Sequence, residues 1–171
     1  MPEVSQDAFK TCYRQRSGPW HHAAYMRMAK VLLLLRVLRR TGTATSGRTV
    51  FDYGFGAGTF FLYCPKSAAL CGVEQDPVVV AEVSEMLRAR GFASVDLQPI
   101  EIGSWEEHPL LGRSYDHFVC SHVLEHLPDP AGFLRRMRSC IAPGGGFFGL
   151  VPINERAANP HHVQAVTASL V

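Results

Sequence analysis

Three glycines at alternate positions, Gly54, Gly56 and Gly58, stand directly behind a short apolar run, Thr49-Val50-Phe51-Asp52-Tyr53. The run is rich in β-branched and aromatic residues and reads as a buried strand that stops at Gly54. Glycine lets the backbone behind the strand turn sharply and pass close to a ligand, because no Cβ intervenes. A short helix is expected over 56–64. Its unpaired N–H groups and positive end would face the same ligand. Glu74 closes a second apolar run, twenty residues after Gly54. A carboxylate there is placed to accept both hydroxyls of a ribose.

The rest of the chain repeats this alternation. A helix is expected from about Tyr25 to Arg40, with an apolar face of Leu32, Leu34, Leu35, Val37 and Leu38, and a polar linker over Thr41–Arg48. Strands are expected over 68–73, 95–98, 115–120 and 147–151, and helices over 77–90 and 130–141. Pro143-Gly144-Gly145 reads as the turn before the last strand. Short apolar strands alternating with helices mean parallel pairing and an α/β fold, a three-layer sandwich around a mostly parallel sheet. Residues 1–44 read as an N-terminal helical lead-in or cap, and 45–171 as the ligand-binding core.

Composition narrows the function classes. With 171 residues and 47% apolar content, the chain can bury one core without disulfides. A formal net charge of +2 supplies no strong field for a nucleic acid. The apolar run Val31–Leu35 is interrupted by Arg36 and is far shorter than the ~20 residues that span a bilayer, so no membrane partner is expected. Five scattered cysteines with no C-x-x-C pair, and no secretory leader in the first residues, point to the cytosol.

The dinucleotide pattern G-x-G-x-x-G fails here, because Thr59 stands where its last glycine belongs. The pattern Asp52-x-Gly54-x-Gly56-x-Gly58 instead resembles motif I of class I S-adenosylmethionine-dependent methyltransferases. Ser121-His122-Val123-Leu124-Glu125-His126-Leu127-Pro128-Asp129-Pro130 is similar to that family's segment after strand four, and Ala142-Pro143-Gly144-Gly145-Gly146 to its turn before strand five. Val151-Pro152-Ile153-Asn154 and Asn159-Pro160-His161-His162 resemble the next stretch of the chain in the small-molecule branch of that family.

The resemblance implies a Rossmann-like fold, S-adenosylmethionine as cofactor, S-adenosylhomocysteine as its product, and a set of roles. Gly54, Phe55, Gly56 and Gly58 would line the methionine part of the cofactor, and Asp52 would orient the loop or reach the amino group through water. Glu74 would hold the ribose, Gln75 would pack on the adenine, and Glu101 and Ile102 would lie by the adenine amine. Ser121 and His122 would meet the methionine end. Trp20, Tyr25 and Arg27 are weaker candidates for covering the cofactor. The acceptor is expected to be a small molecule, methylated at oxygen, in biosynthesis of a natural product or a quinone-like compound. A hydroxyl acceptor benefits from a base that takes its proton, and histidine suits that near neutral pH. His122, His126 and His162 are the candidates, with His161 beside them.

His122-x-x-Glu125-His126 also matches a zinc-protease pattern, but that pattern needs a long helix and a distant third ligand. Some quinone-pathway O-methyltransferases carry two acids and a histidine on this turn and use a divalent cation. His122 stands here in place of the first acid, which weakens an oxygen-ligand site, so no resident metal is expected and a divalent cation is the lesser reading. The family fold closes its sheet with a hairpin after strand five, and this sequence stops at Val171 before one. The strand-five edge is therefore expected to pair with a second copy or a partner subunit. The alternative function is a non-catalytic cofactor-binding or interaction module derived from a methyltransferase.

Overall fold

The computed structural model describes residues 22–40, 47–101 and 108–153. The elements run in the order α1 (His22–Arg40), β1 (Thr49–Tyr53), β2 (Ala69–Glu74), α2 (Pro77–Ala89), β3 (Ser94–Pro99), β4 (Tyr115–Ser121), α3 (Pro130–Arg138) and β5 (Ile141–Leu150). Short 3-10 turns cover Phe61–Tyr63, Pro109–Gly112 and Leu124–His126. The five strands form one parallel sheet in the order β3-β2-β1-β4-β5. The α/β layers and parallel pairing expected from the sequence are present.

The strand period of two divides the core between the two faces of the sheet. Val50, Leu70, Leu97, Val119 and Phe148 join Val31, Leu34 and Leu38 of α1 and Val80, Val83 and Leu87 of α2. Phe51, Tyr53, Cys71, Val73, Phe118 and Cys120 join Phe133 and Met137 of α3 and Leu110 and Leu111. Neighbours such as Val50 and Phe51 therefore sit in different layers, which is why the strands read as continuous apolar runs.

Helix ends follow local chemistry. Asp76 caps α2, its Oδ1 accepting from Val78 N at 3.0 Å with Pro77 in the first turn. The other end closes at Gly91, with Phe92 N donating to Leu87 O and Gly91 N to Arg88 O, the paired bonds of a Schellman stop. Asp129 caps α3 through Gly132 N at 2.8 Å.

Several sequence expectations need correction. The first helix starts earlier, at His22, and its face is narrower: Val31, Leu34 and Leu38 are buried, whereas Leu32 and Val37 are exposed. The helix expected over 56–64 shrinks to the single turn Phe61–Tyr63, so no α-helix opens directly behind the glycines. The last helix stops at Arg138, where Ser139 Oγ donates to the Arg136 carbonyl at 2.7 Å. The last strand begins at Ile141 rather than 147. Its register with β4 jumps from Tyr115↔Ile141 to His117↔Gly146, two steps on β4 against five on β5. Pro143-Gly144-Gly145 is thus an excursion inside the strand, tolerated because a bulge frees residues from the ladder.

Candidate functional site

The sheet order changes direction between β1 and β4: the chain moves from β1 outward through β2 and β3, then returns to β4 and β5. In open parallel sheets ligands collect at the carboxyl ends beside such a switch. The loop after β1, the end of β2 and the turn after β4 all lie at those ends. They carry Gly54–Gly58, Glu74, and Ser121 to His126.

Gly54, Gly56 and Gly58 have φ of +73°, +52° and +65°, a region other residues enter at a cost. Two of the three also have a neighbour that forbids a side chain. A Cβ on Gly54 would meet Val123 Cγ2 at 2.6 Å, and one on Gly58 would meet Val83 Cγ1 at 2.5 Å. The loop is therefore clamped between α2 and the turn after β4. Phe55, expected at the ligand, turns its ring into the core against Phe61 and is buried. Only its backbone belongs to the loop surface.

Glu74 is the polar anchor of the loop. Its Oε2 accepts from Gly56 N at 2.9 Å and its Oε1 from Gln75 N at 2.8 Å. Burial pushes its carboxyl above the ordinary value, against the lowering effect of these N–H donors. A carboxylate offers about four lone-pair directions, so these bonds and a further contribution from the Asp76 N–H still leave capacity for a ligand hydroxyl.

Asp52, at the penultimate position of β1, is only 4% exposed, and its Oδ1 has no hydrogen-bond partner among the described residues. Burial, and then the charge of Glu74, hold its carboxyl well above the ordinary range. A buried oxygen without a partner beside a second acid suits a ligand that brings positive charge or donors. A raised folded-state value means that stability is present while Asp52 is neutral and is lost as pH rises through that value. Asp52→Asn, neutral throughout, is therefore expected to be more stable than the parent in the ligand-free state, with a margin that grows with pH. Thermal melts across a pH series check this, and a margin that shrinks as pH rises would contradict it.

After β4 the chain passes through His122 at φ +57°, the one non-glycine in the left-handed region among the described residues. Its N–H donates to the Leu150 carbonyl at 2.7 Å, tying the turn to β5. Its Nδ1 lies 3.1 Å from Oε1 of Glu125, which is 1% exposed. Burial works to raise the Glu125 carboxyl, but His122, the residue's own backbone N–H and His126 together hold the group below the ordinary value. Ser121 and His126 are half-buried on the same turn.

Gln75 is half-buried beside Glu74, and Glu101 is exposed just past the end of β3. Ile102, His161, His162, Trp20 and Cys12 lie outside the described residues, as do the side chains of Tyr25 and Arg27. No group of three or more His, Cys, Asp or Glu side chains among the described residues is arranged to hold a metal ion. No helix among them is long and apolar enough to cross a membrane.

A family model described as a methyltransferase domain matches residues 20–169. The ubiquinone biosynthesis O-methyltransferase of Bordetella pertussis strain Tohama I is 31% identical over 121 residues, covering 68% of this chain and 47% of that protein. The counterpart in Sodalis glossinidius is 29% identical over 143 residues, covering 81% of this chain and 53% of that protein. The chain thus spans about half the length of the curated relatives it matches. Among solved structures, the YcgJ protein from Bacillus subtilis is similar with a TM-score of 0.65 at 21% identity, over 80% of this chain and 63% of that one. At that identity the likeness concerns the fold, and it agrees with the parallel sheet described above.

Proposed function

Because this chain belongs to the methyltransferase-domain family, we propose that it binds S-adenosylmethionine and directs methyl transfer to a small-molecule acceptor, at a hydroxyl oxygen. The observation that carries this reading is the acid pair under the glycine loop: partnerless Asp52 Oδ1 beside Glu74, at the β1/β4 switch. The cofactor offers what that pair lacks, an ammonium with a nearby sulfonium for Asp52 and a ribose diol for Glu74. The O-methyltransferase names of the Bordetella and Sodalis relatives support oxygen as the acceptor atom.

When bound, the cofactor supplies a methyl group already activated on sulfur. The residues of this chain then have to position, desolvate and take up a proton. In our reading the N–H groups and α-carbons of Gly54, Gly56 and Gly58 line the amino-acid end, with Ser121 and His122 opposite. Gln75, Glu101 and Ile102 flank the adenine. His122, His126 and His162 are the groups offered to the acceptor, and no residue is assigned to a metal.

The described cysteines 64, 71, 120 and 140 are free and buried. Burial pushes the Cys64 thiol up to about 12 and that of Cys71 to about 11. Such inert thiols suit a reducing compartment, and we read the protein as cytosolic.

Calorimetry with S-adenosylmethionine, S-adenosylhomocysteine and NAD tests the binding step, and incubation with a catechol tests transfer. We expect both sulfur ligands to bind and NAD not to. Binding of NAD alone would overturn the reading, and tight cofactor binding without transfer to any hydroxyl would favour a non-catalytic module instead.

Among the described residues β5 pairs on one side only, with β4. Phe147 stacks on Phe118 and Phe148 packs edge-on to His117, so the rings are held by the sheet, and among the described residues no strand pairs the outer backbone of β5. We expect a strand of a second copy there. Light scattering over a concentration series should report a dimer. A monomer at every concentration, with slow amide exchange along 147–150, would contradict it.

A further inference from the structure

We propose that Glu125 is a positioning residue that holds His122 in the Nδ1–H tautomer, leaving Nε2 bare to take the proton of an acceptor hydroxyl. The inference deepens the function proposed above and rests on it for the identity of the acceptor.

Three observations converge on this turn. Glu125 is 1% exposed, and neither of its carboxylate oxygens has a well-aligned hydrogen bond among the described residues; the polar side-chain contact the structure gives it there is the ion pair of Oε1 with His122 Nδ1. A buried carboxylate is tolerated only where a donor or a positive charge faces it. His122 is the group that faces it: its Nδ1 lies 3.1 Å from Oε1, three residues back along the turn, close enough for a small rotation of the ring to align an Nδ1–H with that oxygen. The approach depends on an uncommon backbone. His122 sits at φ +57° with its N–H tied to Leu150. Local strain of this kind, on the order of 1 kcal/mol, clusters where a side chain must be aimed.

The two ring nitrogens of a neutral imidazole have opposite roles, and the partner of one decides the state of the other. Glu125 can only accept, so Nδ1 must carry the hydrogen and Nε2 must carry the lone pair. The side chain of His122 is 27% exposed, at the carboxyl end of β4 beside the glycine loop, so a small molecule can reach it. In the step itself the acceptor O–H bond breaks, an Nε2–H bond forms, and the electron pair stays on the acceptor oxygen. The imidazolium so formed keeps Nδ1–H on Glu125, whose negative charge balances it. Other titratable groups facing this pair are His126 and, from β4, Cys120, which Asp52 faces in turn.

The tautomer can be read without any turnover. Nitrogen-15 shifts and long-range couplings of the His122 ring, in the ligand-free protein above the histidine titration range, should show protonated Nδ1 and bare Nε2. In Glu125→Gln the preference should relax toward a mixture with the Nε2–H form. Its kcat with catechol should drop by about tenfold or more, within the range a general base contributes. Calorimetric affinity for S-adenosylhomocysteine should stay within about twofold, since among the described residues Glu125 forms its ion pair with His122 and not with Glu74. Glu125→Asp, which keeps the acceptor chemistry, should regain part of the preference. A wild-type ring protonated at Nε2 overturns the proposal, as does a folded Glu125→Gln chain with an unchanged tautomer. The wild-type spectrum needs no variant, so a chain that fails to fold does not remove the test. Failure to bind the cofactor would strike the proposed function alone.

Discussion

Gly56→Val is expected to abolish cofactor binding while the sheet still forms. Gly56 sits at φ +52°, where a β-branched residue is a genuine outlier, so the substitution costs about 1–2 kcal/mol in backbone strain. Part of that strain is released by letting the loop leave Glu74, which gives up the bond from Gly56 N to Oε2. In our reading the new side chain also stands where the cofactor would meet the backbone. Gly56 is itself buried, but the sheet's two apolar layers are built from the side chains of β1, β2 and β4 against α1, α2 and α3, so the sheet should survive a displaced loop. Calorimetry with S-adenosylhomocysteine, paired with a thermal melt, checks both halves. A folded variant with parental affinity would move the ligand away from this loop.

Glu74→Ala should weaken cofactor binding by about 1.5–3 kcal/mol, the scale of hydrogen bonds to a charged group. The carboxylate has two tasks that the variant loses together: it accepts from Gly56 and Gln75, and it remains able to accept from a ribose. A cofactor analogue lacking one ribose hydroxyl separates them. In the parent, removing that hydroxyl should cost affinity; in Glu74→Ala the same removal should cost much less, because its partner is already gone. Equal losses in both proteins would mean that Glu74 shapes the loop without touching the ribose.

Both experiments concern residues visible in the sequence, but the reasons for their importance were visible only in part. The glycine spacing and the distance to Glu74 are local facts, and they predicted the turn and the acid behind β2. That Gly54 and Gly58 are also required by Val123 and Val83 depends on contacts between elements far apart in the chain. Phe55 shows the same limit from the other side. Its position in the motif suggested a ligand contact, yet its ring found a better place in the core against Phe61.

The sequence by itself determined the alternation of strands and helices, the parallel sheet and the family. It could do so because strand periodicity, helix caps such as Asp76 and Asp129, and glycine turns are set by backbone sterics over a few residues. Tertiary structure decided where β5 begins, because the strand's register is chosen by pairing with β4 across the Pro143-Gly144-Gly145 excursion. It also decided how His122 and Glu125 meet. Spacing of three residues could have served a metal, a surface turn or an acid–imidazole pair. Burial of the carboxylate and the left-handed backbone at His122 bring the two side chains to 3.1 Å, the contact on which our acid–imidazole reading rests.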